Sequence, residues 1–598
     1  VVTKDFKGRL KILSITVMVV IFILIARLGF LQVYDGEYYA GLADGNRIRL
    51  IPSMAPRGIF YDRNGNLLVS NRPGFTVSLL PLTAPISEDV IDRLSTLLKV
   101  DKTEIHKKID QHSGFDPIRI KTDIGPEVLT IIEEQKEAYP GVVIEVQPIR
   151  NYINMDMAAH VFGYVSEIND DQLAKRKDEG YRSGDIVGQF GLEKVYDKEL
   201  RGTDGGEQVE VDVTGKPVQI LGRKEPIPGA NLTLTIDEKI QKVAEKAIDE
   251  QLVKIHAKAA AAVVLNPKTG EVLAMVSRPA FNPNLFARGI SSKDWKQIND
   301  NPNFPLDNKA ITGEYPPGSP FKIITGTAAL SEGKVGPHEM IFDSGRHWII
   351  PKVNAEGEAL GWIDFKMALA HSDNVYFYEM GNRLGIDKLE KYGRMFGLGA
   401  KTGINLPYES DGLVANRAYK RKVFNDDWYL SETFDAAIGQ GFNLVTPLQI
   451  AVVMSEIANG GIRYKPYLVK QITDPNGQVL KDFKPEELGR LDVSPDIIAL
   501  VQDGLRDVTT IGTAASAFGK DFPVKIAGKT GTAENSQGKD HGWFLAYGPF
   551  DDPNIVVAVL VEQGGFGAQS AVPIGKKILE AAFGLVDPED AAQEAAQK

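Results

Sequence analysis

The sequence contains no cysteine in 598 residues, which removes disulfides, a thiol nucleophile and thiolate metal sites together. That absence says nothing of compartment, because an oxidising space permits disulfides without requiring them. Positive charge is also short. Against 79 Asp and Glu stand 68 Lys and Arg, a net charge of −11, and no basic, aromatic-rich stretch offsets it, which argues against nucleic acid as a partner. Histidine is sparse at 8 residues. His338 and His347 flank Asp343, but the spacing matches no common zinc pattern and no metal is expected there. No internal repeat is visible. What the chain has is length, too much for a single core, so more than one domain is expected.

Only one long apolar run is present, and it lies at the amino end. Lys4, Lys7, Arg9 and Lys11 precede Ile12–Ala26, which carries no charge, and the run resumes after Arg27 as far as Val33. Residues 12–33 as a helix span about 33 Å, enough for a hydrocarbon core of about 30 Å. Arg27 lies near the far end, where it can snorkel to the headgroups. ARLGFLQV is a poor cleavage site, so an uncleaved anchor is expected. The basic flank is expected to keep residues 1–11 in the cytoplasm and the rest of the chain outside, on a single-pass inner-membrane topology.

Residues 34–235 read as a separate mixed α/β module. Residues 56–81 suggest strand, a tight Asn64-Gly65 turn and strand, and 85–135 carry helical periodicity. Strands follow around VVIEVQPIR and as a hairpin turning at Thr214 and Gly215. No cluster of titratable side chains there suggests chemistry, which favours an arm or docking module. A proline- and glycine-marked junction at 227–237 leads into a helix capped by Asp237 and running to about Lys254. A hairpin is expected over 260–277, and strands over 523–534, 541–549 and 554–563, then a helix at about 571–583 and a fraying tail over 586–598. The opening and closing strands suggest one antiparallel sheet in a 236–585 domain, with the helical middle on one face. The fold class is α+β.

Three stretches carry chemistry. In GEYPPGSPFK, prolines and a glycine lead to Ser319, Pro320 suits a first helical turn, and Lys322 lies three residues on along the same helix face. A hydroxyl beside an amine at a helix start can form a nucleophile, although Ser before Pro is also an ordinary N-cap. S-x-x-K recurs at Ser331–Lys334 and Ser536–Lys539. In AHSDNVYFYEMG, Ser372 can relay a proton and Asn374 can orient a peptide; Ser372, Asp373 and Asn374 all suit a helix cap as well. Lys529-Thr530-Gly531-Thr532 ends an apolar strand, where lysine and hydroxyls could meet an anion and Gly531 admits a close backbone. K-T-G also occurs at 268–270, in a hairpin turn, and at 401–403, in a loop. Glu534, His371 and His541 adjoin these motifs and read as packing or hydrogen-bonding residues.

S-x-x-K, S-D-N and K-T-G in this order form the general signature of penicillin-binding proteins and class A β-lactamases. With RGIFYDRNGNLLVSN, HVFGYVSEIND, PAFNPNLF and GISSKDW, the chain resembles class B penicillin-binding proteins over nearly its whole length, with the elongation transpeptidases of the penicillin-binding protein 2 group nearest. The resemblance implies a pedestal of the dimerisation type and a serine β-lactamase-like domain with a five-stranded antiparallel sheet flanked by helices. It implies a peptidoglycan D,D-transpeptidase with Ser319 as nucleophile, Lys322 as base and Ser372 as proton relay. It gives Asn374 and Lys529 catalytic support, Thr530, Gly531, Thr532 and Asp373 substrate contacts, and backbone N–H groups of Ser319 and Thr532 the oxyanion hole. Stem peptides ending in D-alanyl-D-alanine and β-lactam antibiotics are the implied ligands. A SEDS-type lipid II polymerase, RodA, is the implied membrane partner through anchor and pedestal. No cofactor is implied, and a metal site that some relatives build with a cysteine is not carried over. A division-type transpeptidase, a hydrolase of carboxypeptidase or β-lactamase type, a β-lactam sensor and a non-catalytic wall scaffold stand as alternatives. No E-x-x-L-N segment supports the class A hydrolase.

Overall fold

A computed structural model describes residues 2–35, 48–80, 86–111, 117–211, 217–519, 522–536 and 538–585. The expected turn at Thr214-Gly215 and the tail over 586–598 lie outside these residues. The amino end is helical over Val2–Gly29 and continues as a wider turn over Phe30–Tyr34. Gly8–Tyr34, with a mean hydropathy of 2.6 in its most apolar window, is long and apolar enough to cross a membrane.

The chain divides into two compact units, each built from segments far apart in sequence. The first comprises 1–56, 73–148 and 202–228; the second comprises 57–72, 149–201 and 229–598. In the first unit, Ile48–Ser53 pairs antiparallel with Gly205–Val211, which pairs with Pro217–Lys224. Elsewhere in it, Phe75 to Leu79 pairs with Ile118–Ile124. Helix Glu88–Leu98 buries Val90, Ile91, Leu94 and Leu98 at helical spacing against Val77, Leu79, Ile118 and Ile120.

Sequence-distant segments meet in the second unit because their charges have to be satisfied together. Phe60–Tyr61 pairs parallel with Asn231–Leu234. Asp62 Oδ1 accepts from the Asn64 and Asn66 amides, at 2.8 and 2.7 Å, which closes the Asn64-Gly65 turn as expected. Beneath this turn segment, Glu193 is fully buried between Arg57 (Nη2 2.8 Å) and Arg150 (Nε 2.6 Å), while Asp197 takes Arg57 Nη1 at 2.9 Å.

The body of the second unit is a five-stranded antiparallel sheet. Its strand order is Val272–Arg278, Ala259–Leu265, Ile555–Glu562, His541–Gly548 and Ala527–Ala533, so the opening and closing strands do join as expected. Alternation then sorts the side chains. Ala260, Ala262, Val264, Val557 and Val559 pack on Ile240, Ala244 and Ile248 of helix Glu238–Ile255 and on Ile574 and Ile578 of helix Val572–Ala582. Ala261, Val263, Val556, Ala558 and Leu560 face the helical middle, including Ile323 and Ile324 beside Lys322 and the apolar helix Pro447–Ala458. Asp237 caps its helix through Lys239 N and Ile240 N.

Removing Glu193 leaves the Arg57 and Arg150 guanidinium groups buried without their shared carboxylate. Glu193→Ala is expected to destabilise the second unit by about 3–5 kcal/mol, read as a lowered thermal unfolding midpoint of the full chain in detergent.

Candidate active site

Ser319 opens a short 3-10 turn, Ser319–Phe321, that runs into helix Lys322–Ser331. The cap of this turn is Gly318, at φ 58° and ψ −143°, a conformation suited to glycine. The N-cap reading of Ser319 therefore gives way: its side chain is not spent on the helix end, and among the described residues its hydroxyl makes no hydrogen bond. The approach to it is fixed from several sides. Tyr315 exchanges backbone hydrogen bonds with Val445 at 2.9 Å, the Trp543 indole donates to Pro316 O at 3.0 Å, and Gly318 N donates to Gly439 O at 2.9 Å. A Cβ on Gly439 would stand 2.2 Å from Gly318 O, so this approach needs a glycine there.

Lys322 is fully buried, and its ammonium points at the second motif. It donates to Ser372 O at 2.6 Å, to Asn374 Oδ1 at 2.6 Å and more weakly to Ser372 Oγ at 3.3 Å. The Phe377 ring centroid lies 5.6 Å away. Burial pushes the amine down to about 7, against the attraction of Asp373, which favours the charged form. Asp373 is pushed up to about 7, by its own burial first. Two groups this close lose their protons as a pair.

Ser372 follows helix Phe365–Ala370 and takes φ 60°, a left-handed turn that costs a residue with a side chain about 1 kcal/mol. The turn aims both its carbonyl and its hydroxyl at Lys322. Asp373, expected among substrate contacts, is placed otherwise. Its carboxylate is buried, caps helix Asn374–Leu384 through Tyr376 N at 2.6 Å and accepts from Asn354 Nδ2 at 2.8 Å. A carboxylate turned inward to satisfy a helix start supports the motif from below rather than meeting a ligand.

The third motif lies on the edge strand, against the Ser319 turn. A Cβ on Gly531 would sit 2.5 Å from Pro320 Cδ, and one on Gly318 would sit 2.7 Å from Thr532 O. Lys529 is fully buried and donates to Thr530 O at 3.0 Å; burial, then the nearby Lys322 charge, lower its pKa far below that of a free lysine. The Thr530 hydroxyl pairs with that of Thr513 at 2.6 Å, and Gln440 Nε2 reaches Thr532 O at 3.5 Å.

The other copies of these motifs lead elsewhere. Ser331 ends its helix, Lys268 pairs with Asp552 in a hairpin turn, and Thr402 bonds to Glu409. His541 accepts from Gln563 N and packs on Tyr315, a structural part as expected. His347 meets Glu379 at 3.3 Å, and Asp343 bonds to Asn354. Asn354, Asp343, Thr513 and Gly439 were not anticipated. Of these only Gly439 left a trace, in the glycine-rich GQG stretch.

The family model described as the penicillin-binding protein transpeptidase domain matches residues 260–580, and the one for the penicillin-binding protein dimerisation domain matches 52–234. The chain is 33% identical to the peptidoglycan D,D-transpeptidase MrdA of Acinetobacter baumannii, over 95% of this chain and 87% of that protein. Among solved structures it is similar to one described as showing structural coordination of polymerization and crosslinking by a peptidoglycan synthase complex, at 33% identity and a TM-score of 0.73 over 97% of this chain and 99% of the other. It is also similar to penicillin-binding protein 2 of Helicobacter pylori in complex with MreC, at 26% identity and a TM-score of 0.75 over 90% of this chain and 99% of the other. Matched from the first unit through the last strand of the sheet, the chain belongs to the penicillin-binding proteins, in the class B group of MrdA and penicillin-binding protein 2.

Proposed function

We propose that this chain is a peptidoglycan D,D-transpeptidase of cell-wall elongation, working through a serine acyl-enzyme. The observation that carries the reading is a buried Lys322 amine held by the second motif, one helical step from an uncommitted Ser319 hydroxyl and beside an edge strand. When the Lys322 ammonium gives up one proton, two donors remain for its two short bonds, and the third position becomes a lone pair. The neutral amine takes the Ser319 proton as Oγ attacks the carbonyl of the penultimate D-alanine. The oxyanion is received by the backbone N–H groups of Ser319 and Thr532, a type of contact worth about 2.7–4 kcal/mol per donor. Ser372 passes the proton to the leaving D-alanine amine as the peptide bond breaks and the ester remains. Attack by an amine of a neighbouring stem peptide then releases the serine and forms the cross-link. The peptide lies along the Lys529 strand, which has an unpaired edge, with its terminal carboxylate at the Thr530 and Thr532 hydroxyls and Gly531 allowing the close approach. Asn374 orients the peptide amide, and Lys529 adds positive potential. β-Lactams acylate the same serine.

The apolar amino-terminal helix supports a membrane anchor, with the catalytic unit on the extracytoplasmic side. A RodA-type polymerase is the partner of anchor and first unit in this reading, which a relative solved in a peptidoglycan synthase complex that coordinates polymerization and crosslinking supports.

Intact mass after fluorescent-penicillin treatment is expected to show one covalent adduct, lost in Ser319→Ala and kept in Ser331→Ala and Ser536→Ala. An adduct surviving in Ser319→Ala overturns the serine assignment, and fast release of hydrolysed drug favours a β-lactamase. The acylation rate is expected to fall as pH drops through about 7, where the Lys322–Asp373 pair takes up a proton and the amine ceases to be a base. An acid limb near the ordinary lysine value removes the desolvated amine from the mechanism. Gly531→Ala forces the edge strand off Pro320 and is expected to slow acylation by about a hundredfold, measured with the same probe.

A further inference from the structure

Between the short strands Ile341–Asp343 and Gly361–Ile363 runs a segment with no motif of its own, yet its Asn354 is the residue on which the second motif rests. The Asn354 carbonyl accepts from the backbone N–H groups of Asn374 at 2.7 Å and Val375 at 2.9 Å, amides that a helix start leaves unpaired. The Asn354 amide donates to Asp343 Oδ2 at 2.9 Å, to Asp373 Oδ2 at 2.8 Å and to the Glu358 carbonyl at 2.9 Å. Asp343 is itself anchored, taking Gly345 N and Leu360 N at 2.7 Å each. Asn354, Asp343 and Asp373 are all buried.

We propose that Asn354 is a positioning residue for acyl transfer, whose single side-chain amide fixes the Ser372–Asn374 turn on Lys322 and holds two buried carboxylates together beneath it. The chemistry of the cluster asks for this residue type. The helix amides need an acceptor, the carboxylates need a donor between them, and a primary amide supplies both in one plane. Aspartate supplies only the first, and alanine neither. Without the amide, Asp343 and Asp373 are left with only the hydrogen bond between them, and the strained turn at Ser372 loses the brace that keeps its carbonyl on the lysine. The ionisable groups facing the cluster are Asp343 from its strand, Asp373 and Tyr378 from the helix and its cap, and Lys322 from the Ser319 helix. The raised Asp373 carboxyl fits a pair of acids confined around one donor.

The inference rests on the serine reading above, and its test separates the two. Acylation by fluorescent penicillin is followed on the full chain in detergent, from about pH 5 to about pH 9, across the region where the pair titrates. Wild type, Ser319→Ala, Asn354→Ala and Asn354→Asp are compared, with thermal unfolding of each. Asn354→Ala is expected to lower the maximal acylation rate at least about tenfold with half-saturation little changed, a split that loss of binding does not give. Asn354→Asp keeps the grip on the helix amides but adds a negative charge that favours the protonated lysine. Its acid limb is expected to move up by roughly half a unit or more. Asn354→Ala acylating within about twofold of wild type at every pH, or an unmoved limb in Asn354→Asp, overturns the inference. If Asn354→Ala does not fold, the limb of Asn354→Asp decides; failure of both to fold assigns Asn354 to stability alone and likewise overturns it. An adduct persisting in Ser319→Ala overturns both proposals, whereas normal Asn354 variants beside an inert Ser319→Ala overturn only this one.

Discussion

An amine taken wholly out of water must be surrounded by acceptors, and the site is arranged around that demand at Lys322. Its acceptors come from a carbonyl, a hydroxyl and a side-chain amide within Ser372–Asn374, which explains why Ser372 leaves helical geometry for a left-handed turn. Neutral residues as the direct acceptors let desolvation outweigh attraction, so the amine is held near neutrality rather than locked as an ammonium. A carboxylate in direct contact would have produced an ion pair and a poor base. The nearest acid, Asp373, is instead drawn away toward a helix start and Asn354.

What the sequence disclosed and what it withheld follow the same physical line. The nearness of Ser319 to Lys322, of Ser372 to Asn374 and of Lys529 to Thr532 was legible because each pair lies within one turn or one strand, and proline or glycine marks the backbone that presents them. The five-stranded sheet was legible from apolar runs bounded by polar turns, though not its order. For Asp373 two readings stood side by side, because the same carboxylate suits a ligand contact and a cap, and packing gives it the cap. Asn354 and Thr513 reach the site through loops whose local sequence carries no periodicity, so their role exists only in the folded chain. The buried charge cluster of the second unit was hidden for a related reason. Arg57, Arg150, Glu193 and Asp197 belong together through buried charge, across far-apart segments that no shift in composition marks.

The strand order of the sheet governs when this site can first assemble. Ile555–Glu562 lies between the opening strand Ala259–Leu265 and His541–Gly548, and the Lys529 strand joins the sheet only through the latter. A chain emerging residue by residue therefore carries the Ser319 and Ser372 motifs long before the strand that completes the cleft can dock. Until the final strand is inserted, the three motif segments cannot share one cleft, and a deletion of Ile555–Glu562 alone removes the link between the opening strands and the Lys529 strand, more than two hundred residues from Ser319.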